Sequence, residues 1–250
     1  MAAKNTAGDK NELRGPLGED YKTLRSRALK IHRRLKKAYP DAHIPLRFSS
    51  PLELLIATIL SAQCTDAKVN EVTEDLFRKY GSAKDWAKAP LRTLEKEVRP
   101  TGFYRNKARA IKESTEDIVE RFDGRVPETL EELTSLRGVG RKSANVIIAH
   151  AFGGAGIIVD THFIRLSRRM GLTAELDPVK IERDLMHLLP RKHWSDFSLM
   201  MTWHGRATCT ARKPSCNGCA VSGECPARDS RGEVKWDVKL PPRKKGRSGK

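Results

Sequence analysis

Helix start signals recur along this 250-residue chain and leave little room for any fold but a helical one. Ser50 can cap a helix, Pro51 suits its first position, and Glu53 completes a capping box. The run Leu52–Leu60 that follows is apolar nearly all round, which predicts a helix at the centre of a core. Upstream, Leu24, Ala28, Ile31, Leu35 and Ala38 fall at helical spacing over 22–38, with Arg and Lys on the other faces. Asp66 precedes a helix with Val69, Val72, Leu76 and Tyr80 on one face, and Ser82 opens a short one. Residues 104–122 carry Ala108, Ile111, Ile118 and Phe122, and Thr129 with Glu132 forms another box. Asp177 and Pro178 open a helix bearing Ile181, Leu185 and Leu188. No alternating strand pattern of useful length occurs, and no internal repeat. The expectation is an all-α fold of about ten helices with short loops.

The length suits one large domain or two closely packed small ones. Residues 1–20, with Gly8, Gly15, Pro16 and Gly18, read as a flexible leader, and 226–250 as a mobile basic tail ending in Pro241-Pro242-Arg243-Lys244-Lys245. No uncharged apolar run approaches the ~18 residues of a membrane span. Asp9, Glu12, Glu19 and Asp20 without an apolar block argue against a secretory signal. The expected setting is the cytoplasm of a bacterium, associated with the nucleoid.

The formal charge of +17 calls for a polyanionic partner, nucleic acid before membrane. It is unevenly placed. Residues 21–40 hold eight basic residues and no acid, and 226–250 hold nine basic and three acidic, so 41–225 carry only +4. Even that stretch is segregated. Residues 99–112 hold five basic residues and no acid, 113–136 net −6, and 137–169 hold six basic residues against one acid, Asp160. This pattern reads as a basic DNA-facing wall with an acidic back.

Of five cysteines, Cys64 stands alone in an apolar helix and reads as a small buried hydrophobe. Cys209, Cys216, Cys219 and Cys225 have the spacing C-x6-C-x2-C-x5-C, short enough for four sulfurs to converge on one metal centre. Spacing alone leaves a tetrahedral zinc and a [4Fe–4S] cluster equally open. Arg212 and Lys213 ride on the loop between the first two cysteines, where they can grip phosphates.

Residues 136–145 join two helices through Gly138-Val139-Gly140. Such a turn lets backbone N–H groups approach an anion at a helix N-terminus, and Arg137, Arg141 and Lys142 add charge. Between helices it reads as a helix-hairpin-helix that binds a DNA backbone without reading sequence. Lys142 taken alone is an ordinary phosphate contact. Next to Arg137 and Arg141 it can also serve as an amine nucleophile. That role needs an acid partner, and Asp160 in Val159-Asp160-Thr161-His162 supplies one while also capping the next helix.

Together these elements resemble the endonuclease III family, DNA glycosylases with AP-lyase activity of the helix-hairpin-helix superfamily. The resemblance spans roughly residues 22–225. It rests on Leu60-Ser61-Ala62-Gln63 before Thr65-Asp66, the hairpin Gly138–Lys142, Val159–His162, and His204-Gly205-Arg206 leading into the four cysteines. It implies two helical domains with a DNA groove between them. A six-helix barrel domain over 44–154 contains the hairpin motif (about 130–149), and 21–43 plus 155–225 form an iron–sulfur domain. It implies a [4Fe–4S] cluster on Cys209, Cys216, Cys219 and Cys225, and an active site at the domain junction with Lys142 on one wall and Asp160 on the other. It also implies a monomer acting on double-stranded DNA that contains oxidised pyrimidines or abasic sites. The damaged nucleotide is flipped out, Lys142 forms a Schiff base, and β-elimination cuts the 3′ side. Gln63 fills the gap left by the flipped base. Phe103 stands where the family often has a Leu wedge, and an aromatic wedge can stack on bases. Gly138, Val139, Gly140, Arg141, His162, Arg212 and Lys213 are the remaining expected DNA contacts.

Two other readings stay in play. An adenine or mismatch glycosylase of the same superfamily usually lacks the hairpin lysine, and adenine enzymes usually have a further C-terminal domain. A non-catalytic DNA-binding module would use the hairpin and cysteines only to hold backbone; the Lys142/Asp160 pair disfavours it.

Overall fold

The computed structural model describes residues 15–227. They are helical, with no β-strand among them, and no described helix is long and apolar enough to cross a membrane. The chain divides into two compact units, His43–Ile158 and a second made of the chain up to Ala42 with the chain from Val159 on.

The continuous unit holds α2 (Pro51–Leu60), α3 (Asp66–Lys79), α4 (Ala83–Lys88), α5 (Leu91–Glu97), α6 (Tyr104–Arg121), α7 (Leu130–Ser135) and α8 (Arg141–Ala151), with a 3-10 turn at Arg99–Thr101. Every residue of α2 from Leu54 to Leu60 is buried, as its unbroken apolar run predicts. Ser50 Oγ accepts from Glu53 N at 3.2 Å, but the Glu53 carboxylate reaches back to Ser49 rather than Ser50. The box is thus displaced by one residue. Thr65, not Asp66, caps α3, and Asp66 is its first residue, where an acid suits the positive helix end. The core of this unit gathers α2 with Val69, Leu76, Trp86, Leu94, Ile111, Ile118, Leu133 and Ile147.

The discontinuous unit holds α1 (Tyr21–Ala38), α9 (Thr161–Arg169), α10 (Pro178–Leu188), a 3-10 turn at Arg191–His193, α11 (Trp194–Ala207) and the cysteine segment. Ile31, Leu35, Phe163, Leu166, Phe197 and Met201 are fully buried, with Phe163 edge-on to Phe197 at 6.0 Å between ring centroids. Arg27 of α1 binds this distant stretch of chain directly, donating to the carbonyls of Met170, Gly171 and Glu224.

The expected flexible leader is corrected over its last six residues. Gly15 is buried, Glu19 pairs with Arg27, and Asp20 caps α1 by accepting from Thr23 N at 2.9 Å. An ion pair and a helix cap hold this stretch, which composition alone could not show. The rest of the expected leader, and the expected basic tail from residue 228, lie outside the described residues.

Candidate active site and its DNA-facing elements

The glycine hairpin lies between α7 and α8. Gly138 has φ +79, and a Cβ there would sit 2.8 Å from the Ala110 Cβ of α6. The position therefore needs glycine twice over, for its left-handed backbone and for helix packing. Gly140 differs: its φ is −84 and a Cβ would meet nothing within 4 Å. It precedes α8 without any side-chain cap, which leaves that helix start available to an anion. Val139 is buried in the core, so only its backbone can reach a ligand; this narrows its expected role as a DNA contact.

Lys142 and Arg141 are both exposed on the first turn of α8. Arg137, expected to crowd Lys142 with charge, instead gives its guanidinium to Glu113 at 2.6 Å. Glu113, from the acidic 113–136 segment, thus offsets one cation of the hairpin. Further along α8, the buried Asn145 donates to the Ile157 carbonyl at 3.0 Å. It ties the segment leading to Asp160 back onto the helix that carries Lys142.

Asp160 lies in the other unit and caps α9. Its Oδ1 accepts from Phe163 N at 2.7 Å, and its Oδ2 lies 3.2 Å from the Thr202 hydroxyl of α11, whose single proton also has the Ser198 carbonyl in reach at 3.1 Å. One oxygen serves the cap and the other is left for acid chemistry. His162, half-buried on α9, is packed against α11: its Nδ1 lies 3.2 Å from Arg165, and a Cβ on Gly205 would collide with it at 2.8 Å. That packing fixes where the ring sits on α9.

Two further residues share an uncommon backbone. Gln63 (φ +53), in the turn after α2, and Phe103 (φ +48), preceding α6, are both left-handed and both exposed. Phe103 is 61% exposed, rare for a large aromatic ring. Strain of about 1–3 kcal/mol at such positions persists only where the surroundings enforce it, and it clusters at functional sites. Cys64 lies in this same turn, outside α2, and is half-buried against the core; the expected fully buried helical thiol is corrected, because α2 ends at Leu60.

The four C-terminal cysteines are unbridged and line one pocket with Arg169, Met170, His204 and Val221. Four thiol sulfurs around one pocket are a donor set that either a zinc ion or an iron–sulfur cluster can take. Burial raises the Cys225 thiol to about 11, so it ionises at neutral pH only when a cationic centre binds it. Arg169 donates to Cys209 Sγ at 3.4 Å and to the Thr210 carbonyl at 2.8 Å. Burial lowers the His204 imidazole to about 4 and keeps it neutral; Tyr39 Oη lies 2.8 Å from its Nδ1, and its Nε2 lies 3.6 Å from Cys219 Sγ. Arg212 and Lys213 are exposed on the intervening loop, whose turn is closed by Thr210 hydrogen-bonding to Lys213 at both N and O.

Comparison with known proteins bears directly on this arrangement. The family model for HhH-GPD superfamily base excision DNA repair proteins matches residues 56–191. Endonuclease III of Synechocystis sp. is 51% identical over 204 residues, covering 81% of this chain and 93% of that protein. The chain belongs to the endonuclease III family. It is a base excision repair glycosylase, and the expected all-α, two-domain fold stands with it. A structure of a non-covalent endonuclease III–DNA complex superposes with a TM-score of 0.76 at 41% identity, covering 81% of this chain and 95% of that one. A trapped endonuclease III–DNA covalent intermediate gives 0.75 at 40% identity, with 82% and 95% covered. Sequence reasoning missed Lys107, Asn145, Thr202 and Tyr39, whose roles lie in tertiary hydrogen bonds that no motif announces.

Proposed function

We propose that the chain removes oxidised pyrimidines from double-stranded DNA and cleaves abasic sites through a Schiff base on Lys142. The observation that carries this reading is the exposed Lys142 on an uncapped helix start after the glycine hairpin, in a chain 40% identical to a protein trapped in a covalent intermediate with DNA. The neutral Lys142 Nζ attacks C1′ of the flipped nucleotide, and the N-glycosidic bond breaks with its electron pair leaving on the base. Asp160 takes part in the proton transfer from Lys142 and offsets positive charge on the sugar. The C1′–O4′ bond then breaks, with O4′ taking a proton, and leaves an iminium between C1′ and Lys142; at an abasic site the same iminium forms from the sugar aldehyde with loss of water. Abstraction of a C2′ proton then expels the 3′ phosphate by β-elimination. Gln63 enters the vacated stack and Phe103 wedges the neighbouring bases. The hairpin backbone, Arg141, Arg212 and Lys213 hold phosphates. The protein works as a monomer in the bacterial cytoplasm, on nucleoid DNA.

Cys209, Cys216, Cys219 and Cys225 hold a [4Fe–4S] cluster, which supplies a structural staple for the loop that presents Arg212 and Lys213. The four cysteines around one pocket and the Arg169 and His204 contacts to cysteine sulfurs support this. The purified protein is expected to be brown with absorbance near 400 nm; a colourless protein with stoichiometric zinc contradicts the assignment.

Borohydride tests the function. The wild type is expected to become covalently fixed to abasic-site DNA, and Lys142→Ala to bind without fixation. Normal binding by a wild type that never traps would leave the monofunctional or non-catalytic reading standing.

A further inference from the structure

Lys107 is a lysine buried in the middle of α6, only 4% exposed, with no acid in hydrogen-bond reach among the contacts of its ammonium. Its Nζ donates instead to two main-chain carbonyls, Leu60 at 2.8 Å and Thr101 at 2.7 Å. Leu60 ends α2, just ahead of the turn that carries Gln63, and Thr101 ends the 3-10 turn that precedes Phe103. Both carbonyls lie at the negative ends of helical turns, where a cation is best placed. A third bond closes the loop locally: Lys107 N donates to the Phe103 carbonyl at 3.1 Å. Burial pushes the amine's pKa down, so the protein bears a desolvation cost to keep this group where it is.

The two turns it joins are distant in sequence, yet they hold two of the three non-glycine residues with positive φ among the described residues. An apolar side chain would fill the space without that cost but would take the donor away from the Leu60 and Thr101 carbonyls. What a cation adds is a fixed relation between two carbonyls, hence between the two exposed side chains that follow them.

We propose that Lys107 is a positioning residue that locks the Gln63 turn and the Phe103 turn into one preformed element for opening the base pair. This rests on the reading above that Gln63 and Phe103 enter the DNA stack. The element matters only where a partner base must be displaced. Misplacement by about 1 Å can cost ~100-fold in such a step.

The test uses the cluster-containing full chain and two substrates, an oxidised pyrimidine paired in a duplex and an abasic site in single-stranded DNA. Lys107→Met is expected to slow single-turnover excision from the duplex by about tenfold or more, while borohydride trapping on the single strand stays within about twofold. Lys107→Arg keeps the buried charge but moves its donors. It is expected to give the same substrate-selective loss at about threefold, and it carries the test if the Met variant does not fold. Combining Lys107→Met with Phe103→Ala and Gln63→Ala should add little to the loss from those two alone. Equal slowing on both substrates, or no slowing on the duplex, overturns the proposal. If Phe103→Ala and Gln63→Ala leave duplex excision unchanged, the stacking role of those residues fails, and Lys107's role with it. If they slow it and neither Lys107 variant does, the Lys107 inference alone fails.

Discussion

Gly138 and Gly140 stand two residues apart and do different work. Gly138 combines a left-handed φ with a Cβ position 2.8 Å from Ala110, whereas Gly140 opens onto empty space. Gly138→Ala should therefore destabilise the fold by about 2–4 kcal/mol, from backbone strain plus overpacking. Gly140→Ala should cost about 1 kcal/mol or less, the loss of a favoured N-cap residue, yet weaken DNA binding by about tenfold because its methyl occupies the path of an approaching phosphate. Urea unfolding and a DNA-binding titration on both variants separate the two; equal stability losses would contradict the division. The sequence could mark both as turn glycines, but only the packed neighbour distinguishes them. The same holds for Val139, whose apolar side chain turns into the core while its backbone stays with the hairpin.

At the scale of elements, Asp160 shows how a cap and a reactive group can be one residue. Its carboxylate holds the α9 start through Phe163 N, and its other oxygen lies beside Thr202 of α11. Asp160→Asn keeps an oxygen for the cap, so stability should fall by no more than about 0.5 kcal/mol, while the loss of the charge should slow single-turnover chemistry by about 100-fold. Asp160→Ala should add a capping loss of about 1 kcal/mol. An Asn variant with wild-type rates would remove Asp160 from the chemistry. The helix starts were the most legible part of this chain, since Ser50, Ser82, Thr129 and Asp177 each cap a helix through their own side chain. Capping is local chemistry, and local chemistry is written in neighbouring residues. The roles of Lys107, Asn145 and Thr202 were not legible, because each joins elements far apart in the chain and leaves no periodic trace. Motif spacing brought Cys209 to Cys225 together but left zinc and iron–sulfur open, because both take four thiolates.

For the whole molecule, the charge of +17 divides by use. Three of the eight basic residues of α1 are committed internally. Arg27 pairs with Glu19, Arg34 with Glu224 at 3.1 Å, and Lys36 with Asp196 at 3.4 Å. Those cations join the two stretches of the discontinuous unit. The basic residues beyond Ala227 are the ones we assign to scanning DNA. Removing 228–250 should make the salt dependence of DNA binding shallower, by about 0.9 in log–log slope for each phosphate no longer neutralised, with single-turnover rates within about twofold of the full chain. An unchanged slope would refute that role. All of these effects are secondary to one covalent bond. The central claim is tested most directly by digesting the borohydride-reduced protein–DNA adduct and locating the added sugar by mass. The prediction is that it sits on the peptide containing Lys142; a stable adduct on any other residue, with Lys142 unmodified, would contradict it.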